Sequence, residues 1–299
     1  MARKKSHNKR LPHAVVSTLV VFLLLAISYF INSDIFATFQ QNGNFDTSKD
    51  FVSVMDVGQG ESILIYSNGY CAVYDVGTEE SSEKICANLK ASGIKTIDVL
   101  MVSHLHTDHI GGAKTVADTF NVKNLILPEI STHSEGLSYA QYAINKVTAL
   151  GGETYTAKSG MNFKIGDFEI TVLAAYDMDD ENNRSIIAAT EIEGKKFLFT
   201  GDAETKVEQK LLNEGLNLKC DVLSVGHHGS STSTSSEFLM AVSPQYAAIS
   251  AGKDNMYGHP HNETLSLLER NGAKVFRTDI NGDITFYVEN GIIVPVAKE

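Results

Sequence analysis

Residues 103–112 read Ser-His-Leu-His-Thr-Asp-His-Ile-Gly-Gly, placing His104, His106, Asp108 and His109 within six positions. Each of these four side chains can offer a lone pair to a metal. Imidazole nitrogen combined with carboxylate oxygen suits zinc, manganese or iron. The stretch follows Ile97-Asp98-Val99-Leu100-Met101-Val102, an apolar and β-branched run that reads as a buried strand. Gly111-Gly112 comes next and is expected to let the backbone turn tightly into a helix. The ligand loop then sits at the carboxyl end of a strand, where open α/β sheets hold their sites.

Working outward, 299 residues with 43% apolar and 20% charged side chains can form one large domain with a full core. The net charge is −11, and the first 33 residues hold Arg3, Lys4, Lys5, Lys9 and Arg10 with no acid, so the rest of the chain is near −16. A body this acidic is not a non-specific nucleic-acid binder, which needs clustered cations. It still allows an enzyme that meets phosphate only at its site. Cys71, Cys86 and Cys220 are odd in number and far apart, which indicates neither a disulfide framework nor a thiolate zinc site.

In chain order, residues 1–13 form a basic tail. Residues 14–31 are uncharged and apolar, close to the minimum length of a transmembrane helix. The positive flank before them predicts a cytoplasmic amino terminus and an exported body. A cleaved signal peptide is the competing reading, although no clean cleavage site follows. Residues 32–50 are a polar linker, and 51–299 the folded domain. Within it, a strand entering Gly58-Gln59-Gly60 and a hairpin through Ser67-Asn68-Gly69 precede a helix over 79–92. Strands and helices then alternate, including a strand over 185–192, a helix over 203–213 opened by Gly201-Asp202, a strand over 221–225 that enters Gly226-His227-His228-Gly229, and a strand over 283–289 that closes the domain. The pattern fits an α/β sandwich, two sheets back to back with helices outside.

Polar clusters follow the apolar strands: Asp75, His104–His109, Asp202, His227–His228 and His259. If those strands share one direction, the clusters gather on one edge. A two-metal hydrolase holds its cations about 3.5–4 Å apart with a bridging hydroxide and often a bridging carboxylate. On that reading His104 and His106 grip one ion, Asp108 and His109 the other, and Asp202 bridges. Each cluster alone has a plainer reading. Asp202 could be a helix N-cap, His227-His228 partly structural, and His259 a turn residue. Asp56 and Asp75 read as loop-holding acceptors of backbone N–H groups.

At these residues the chain resembles the metallo-β-lactamase superfamily, from about Phe51 to the end. Within it the chain is similar to the hydrolase domain of ComEC/Rec2-type competence proteins. The resemblance rests on Asp56-Val57-Gly58-Gln59-Gly60-Glu61-Ser62, Asn182-Asn183-Arg184-Ser185, Phe199-Thr200-Gly201-Asp202, His227-His228-Gly229-Ser230, Tyr257-Gly258-His259-Pro260 and Thr278-Asp279-Ile280-Asn281-Gly282, beside the His-rich stretch. Only one hydrophobic segment accompanies them, so the expectation is a stand-alone hydrolase domain without the channel. The resemblance implies the αββα sandwich, preceded here by one transmembrane helix. It also implies two divalent cations, zinc first and manganese second. His227 or His228 would complete the second metal site, with His228 favoured by its similar spacing in teichoic-acid phosphorylcholine esterases. Many members add a histidine between Gly112 and Asp202. This chain has only His133 there, in an unsuitable loop, so Asp177, Asp179, Asp180 or water would fill that position on the His104/His106 side.

The leading functional expectation is an extracytoplasmic phosphodiesterase, held at the cell membrane by its N-terminal helix. Asp108, Asp202 and His259 would be catalytic, and Ser230, Ser231 and His259 would hold phosphate. Its substrate would be single-stranded DNA or a cell-wall polymer, and no protein partner is called for. Alternatives are a phosphorylcholine or teichoic-acid phosphoesterase, a lactam or lactone hydrolase, and a catalytically silent binding module.

Overall fold

The computed structural model describes residues 45–297, so the basic tail, the apolar segment 14–31 and most of the linker lie outside the described residues. Among the described residues no helix is long and apolar enough to cross a membrane. The first sheet contains β1 (Asp50–Val54), β2 (Ile63–Ser67), β3 (Tyr70–Tyr74), β4 (Thr96–Met101), β5 (Asn121–Leu127), β6 (Glu153–Thr156), β14 (Ile284–Glu289) and β15 (Ile292–Val296). The second contains β7 (Asn162–Ile165), β8 (Phe168–Ala174), β9 (Ile187–Ile192), β10 (Lys195–Phe199), β11 (Val222–Ser224), β12 (Tyr246–Ile249) and β13 (Lys274–Arg277). Their spatial orders are β15-β14-β1-β2-β3-β4-β5-β6 and β13-β12-β11-β10-β9-β8-β7.

Strand alternation divides the apolar residues among three cores. Val52, Val54, Ile63, Ile65, Tyr74, Val99 and Met101 pack with Ile170, Val172, Phe197 and Phe199 of the second sheet. The residues between them in sequence, such as Phe51, Leu64, Val73 and Leu100, face the other way. There they meet Ile85 and Leu89 of α1 (Ser82–Ala91), Ile110 of α2 (Thr107–Ile110), Val116 of α3 (Ala113–Thr119) and Val147 of α4 (Leu137–Ala149). On the far side of the second sheet, Leu198, Leu223 and Ala247 pack on Val207 and Leu211 of α5 (Thr205–Asn213), Phe238 and Leu239 of α6 (Ser236–Val242) and Leu268 of α7 (Asn262–Arg270). A period of two sends alternate side chains to opposite faces, and both faces of each sheet are covered. The result is an αββα sandwich.

The site is positioned by two parallel arms. β3, β4 and β5 run parallel in one sheet, and β10, β11 and β12 run parallel in the other. Their carboxyl ends lead into the polar clusters. The sheets are tied there by Tyr74 Oη donating to the Ile186 carbonyl at 2.6 Å and by Ile186 N–H donating to the Ser103 carbonyl at 2.9 Å.

Four expectations change. The strand expected over 185–192 begins only at Ile187, because Asn182–Arg184 form a 3₁₀ turn. The helix expected from Ala203 starts at Thr205 with Glu204 as its N-cap residue, so Asp202 is not the cap. The carboxy-terminal strand signal over 283–289 is followed by a second strand, β15, which completes the edge of the first sheet. Gly111 and Gly112 have ordinary right-handed backbone conformations. They are needed for close approach instead: a Cβ at Gly112 would lie 2.2 Å from the Val76 carbonyl oxygen, and one at Gly111 2.7 Å from Glu79 N. Gly112→Ala is therefore expected to force the metal loop away from the end of β3. The cost should be about 1–3 kcal/mol, as for overpacking of a close contact, read as a lower midpoint in urea unfolding. An unchanged midpoint would show that the backbone relaxes freely.

Candidate metal centre

The loop after β4 is anchored by a buried carboxylate at the end of β3. Asp75 accepts from Ser103 N–H at 2.6 Å, from Ser103 Oγ at 2.6 Å and from His109 Nδ1 at 2.7 Å. Because His109 gives its Nδ1 proton to Asp75, its Nε2 lone pair faces the cavity. The same logic fixes two more rings. Ser103 Oγ spends its single proton on Asp75 and so receives from His104 Nδ1 at 3.0 Å, with Ser185 Oγ 3.3 Å away. His228 Nδ1 donates to the Ser250 carbonyl at the end of β12 at 2.9 Å. His104, His109 and His228 are thereby all held with Nε2 turned inward, the arrangement that outer partners impose on metal-binding imidazoles.

Asp202 follows β10 and lies at the centre. Its Oδ1 is 3.3 Å from His109 Nε2 and 3.8 Å from His228 Nε2. Its Oδ2 is 3.7 Å from both His104 Nε2 and His227 Nε2. Asp108 Oδ2 stands 3.3 Å from His228 Nε2, and Asp108 Oδ1 4.0 Å from His109 Nε2. His106 Nδ1 is 3.0 Å from His104 Nε2. The donors fall into two sets, His104 with His106 and Asp202, and Asp108 with His109 and His228, each with ligand atoms within 4.8 Å of one another.

Three features fit this donor set to divalent metal. His109 Nε2 and His228 Nε2 are buried without a hydrogen-bond partner. His104 carries its proton on Nδ1, so its Nε2 lone pair, 3.0 Å from His106 Nδ1, is free to take a cation in place of that hydrogen bond. Finally, positive charge is demanded by the carboxylates. Burial alone would raise Asp202, yet His109 and His228 hold it well below the usual range. Asp108 is likewise pushed up by burial and pulled down further by His109 and His228. Reciprocally, burial opposes protonation of His109, but Asp202, Asp75 and Asp108 outweigh it and raise its pKa. His104 goes the other way, lowered by burial and by His109.

His227 and His228 do not splay to opposite sides as residues at a strand end would. Both have left-handed backbone, φ 51° and 54°, in the turn Gly226–Gly229, and both rings face Asp202. His259 lines the same cavity of about 590 Å³, with Nδ1 buried and unpartnered. Burial, reinforced by His227 and His228, lowers its pKa to about 4, so it is neutral near pH 7. Ser230 and Ser231 are not brought into the cavity lining. Ser230 Oγ turns to Thr232 Oγ1, and Ser231 pairs with His261 Nδ1. His133 is exposed. Asp177 pairs with Arg184, Asp180 accepts from Asn183, and Asp179 is exposed; none of the three lines the cavity. Asp75 does hold a loop, as expected, and orients His109 as well. Asp56 accepts from Gly58 N–H and pairs with Lys84, outside the cavity lining.

Sequence reading passed over Glu61, Ser185, Ser250 and Asn182. Glu61 accepts from Ser224 Oγ at 2.6 Å, and its N–H donates to the Asp108 carbonyl at 3.1 Å. Burial, with Asp75 adding, pushes its carboxyl up to about 7. Glu61, Asn182 and Ser185 all fall in segments that carried the resemblance, which was the available signal.

Residues 55–253 match the Metallo-beta-lactamase superfamily. The chain is 34% identical over 267 residues to ComE operon protein 3 of Bacillus subtilis, covering 82% of this chain and 34% of that protein. It is 33% identical to Competence protein ComA of Neisseria gonorrhoeae over 80% of this chain and 32% of the relative. It is 32% identical to Recombination protein 2 of Haemophilus influenzae over 78% and 28%. The chain thus spans about a third of the length of these relatives. Among solved structures, YhfI of Bacillus subtilis superposes with a TM-score of 0.54 at 12% identity, covering 83% of this chain and 100% of that one. CmlA, a diiron β-hydroxylase of Streptomyces venezuelae, gives 0.53 at 14% identity over 80% and 54%. These two likenesses concern the fold. By its matched residues, the chain belongs to the metallo-β-lactamase superfamily, with homologues among the competence proteins.

Proposed function

We propose that this protein is a metal-dependent phosphodiesterase with a dinuclear centre, anchored by residues 14–31 with its hydrolase domain outside the cytoplasmic membrane. The observation that carries the reading is the division of six donor side chains into two sets around one buried carboxylate, Asp202. His104, His106 and Asp202 would hold one cation and Asp108, His109 and His228 the other, zinc or manganese by donor type. When bound, such a pair supplies Lewis-acid polarisation of a phosphoryl oxygen and a nucleophile at neutral pH. The chain's own residues do the remaining work. Asp75, Ser103 and Ser250 hold the imidazoles at fixed tautomers. His227, partly open to the cavity, can hydrogen-bond a phosphoryl oxygen. Neutral His259 can donate a hydrogen bond to the leaving oxygen. Lactam or lactone cleavage would leave the phosphoesterase-like segments unexplained.

The competence relatives favour single-stranded DNA as substrate. A second reading, a phosphorylcholine esterase, is supported by the cavity itself: none of its lining residues is Lys or Arg, and Glu135 is among them. Such a lining suits a single diester or a cationic headgroup better than a polyanion. The test incubates the purified chain, with zinc or manganese, with single-stranded DNA, bis-(p-nitrophenyl) phosphate and p-nitrophenylphosphorylcholine. Hydrolysis of the diesters is expected. Cleavage of none of the three would overturn the phosphodiesterase reading, and absence of bound metal in the same sample would overturn the metal centre.

Two variants separate roles within the centre. Asp202→Ala should lose activity by about 10³-fold or more, the scale of removing a charge-stabilising group from a reacting centre. Its circular dichroism should stay that of the wild type, and an active Asp202→Ala enzyme would exclude the residue as a shared ligand. Asp75→Asn should keep the fold but weaken metal binding by about 10–100-fold, as expected when the partner orienting a ligand is lost. Chelator competition reads this directly. Wild-type affinity would mean that Asp75 only ties the loop.

A further inference from the structure

The two donor sets are unequal. Among the described residues, Asp108, His109 and His228 form one set, whereas the other joins His104 and His106 to Asp202, whose Oδ1 also faces His109 and His228 and so is divided between the two sides. The aspartates of the loop after β8 do not close this gap. Asp177 is 72% exposed on its ion pair with Arg184, and Asp180 is engaged by Asn183.

The 3₁₀ turn Asn182–Arg184 does reach this side of the cavity. It is fastened on both flanks. Glu181 accepts from Leu105 N–H at 3.1 Å, between the two histidines, and from Ser134 Oγ at 2.7 Å. Asn183 exchanges hydrogen bonds with Glu204, its Nδ2 donating to Oε2 at 3.2 Å and its Oδ1 accepting from N–H at 3.3 Å. Ser185 Oγ accepts from Asp202 N–H at 3.0 Å and lies 3.3 Å from His104 Nδ1. Asn182 stands between these anchors and lines the cavity with His106 and Asp202. Its Oδ1 is buried with no hydrogen-bond partner. A buried carbonyl oxygen left unpaired is destabilising, and the nearest chemistry that needs an acceptor is a cation. Carboxamide oxygen is an ordinary ligand for hard divalent ions.

We propose that Asn182 Oδ1 is a ligand of the cation held by His104 and His106, supplying the donor that the shared carboxylate leaves short. This rests on the dinuclear reading above. A donor of this kind binds more weakly than imidazole, so this side is expected to be the lower-affinity and exchangeable position of the two.

The test uses the purified full chain with zinc or cobalt(II) as the only added ligand. The wild type should bind two ions with distinguishable affinities in chelator competition. Asn182→Ala should weaken the lower-affinity ion by about tenfold or more, the scale of losing one supporting ligand interaction, and leave the tighter ion within twofold. Asn182→Asp should bind that ion at least as tightly as the wild type and shift the cobalt visible absorption, a response that a merely structural asparagine would not produce. Two ions bound by Asn182→Ala with wild-type affinities would overturn the assignment, as would an Asn182→Asp protein whose cobalt spectrum and affinities match the wild type. The same holds if Asn182→Ala raises KM for a diester with metal binding unchanged, which would move the amide to the substrate. A wild type that binds no metal would instead overturn the centre itself, so the two failures are told apart.

Discussion

Asp202 is a buried carboxylate whose nearest basic side-chain atoms, four imidazole nitrogens, stand 3.3–3.8 Å away. Those separations are long for hydrogen bonds, so the charge is not saturated by donors in the way a capping or structural aspartate would be. An isolated carboxylate removed from water costs several kcal/mol even after the protein relaxes. What offsets the cost at this position is positive charge on or between the imidazoles. Protons can provide it, which is why Asp202, Asp75 and Asp108 raise His109 against the effect of its burial. Divalent cations can provide more of it, on the same Nε2 atoms. Protons and metal compete for one set of lone pairs, and metal uptake at this edge must release protons.

The sandwich exists, in functional terms, to keep that charge balance in register. Asp75 and the loop Ser103–Gly112 come from the first sheet, and Asp202, His227, His228 and Ser250 from the second. Neither sheet carries a full set of donors. The cross-ties are therefore part of the centre: Glu61 to Ser224, the Gly60 carbonyl to Ser250 Oγ at 2.6 Å, and the Ile186 backbone to Ser103. Each is worth about 1 kcal/mol as an ordinary hydrogen bond, but their value lies in position. Ser250 receives His228 Nδ1 through its carbonyl and holds Gly60 through its hydroxyl. The ring that faces Asp108 is thus referenced to the loop whose Glu61 N–H binds the Asp108 carbonyl.

Sequence alone exposed the parts of this arrangement that are local. A six-residue window offered four of the six candidate donors, and a period of two announced which strand residues face the inter-sheet core. What it left out is long-range or conformational. Glu61 and Ser224 are 163 positions apart, and Gly60 and Ser250 are 190 apart, so no spacing rule links them. Gly111 and Gly112 read as turn formers because glycine's usual role is a special φ, whereas here its missing Cβ admits the Val76 carbonyl and Glu79 N. A strand running straight on into His227 and His228 would turn the two rings to opposite faces, but the left-handed pair in Gly226–Gly229 cancels that alternation. The exclusion of Ser230 and Ser231 from the cavity follows from the same turn, which commits their polar atoms to Thr232 and His261.

The pair His227-His228 shows how neighbouring identical residues acquire different chemistry. Both rings approach Asp202 at nearly equal distance, 3.7 and 3.8 Å, so proximity does not distinguish them. Their outer nitrogens do. His228 gives Nδ1–H to a backbone carbonyl at the end of a buried strand and is 4% exposed, which fixes both tautomer and direction. His227 Nδ1 faces the Thr232 hydroxyl and, at 3.8 Å, the Glu204 carboxylate, and its side chain is 20% exposed. A hydroxyl can donate or accept, so His227 can present either tautomer to the cavity. A ring locked in one tautomer suits a permanent ligand. A ring free to take either tautomer can serve a substrate as donor or as acceptor. Under the proposed dinuclear reading, burial and the identity of one hydrogen-bond acceptor would separate the two roles along a single peptide bond.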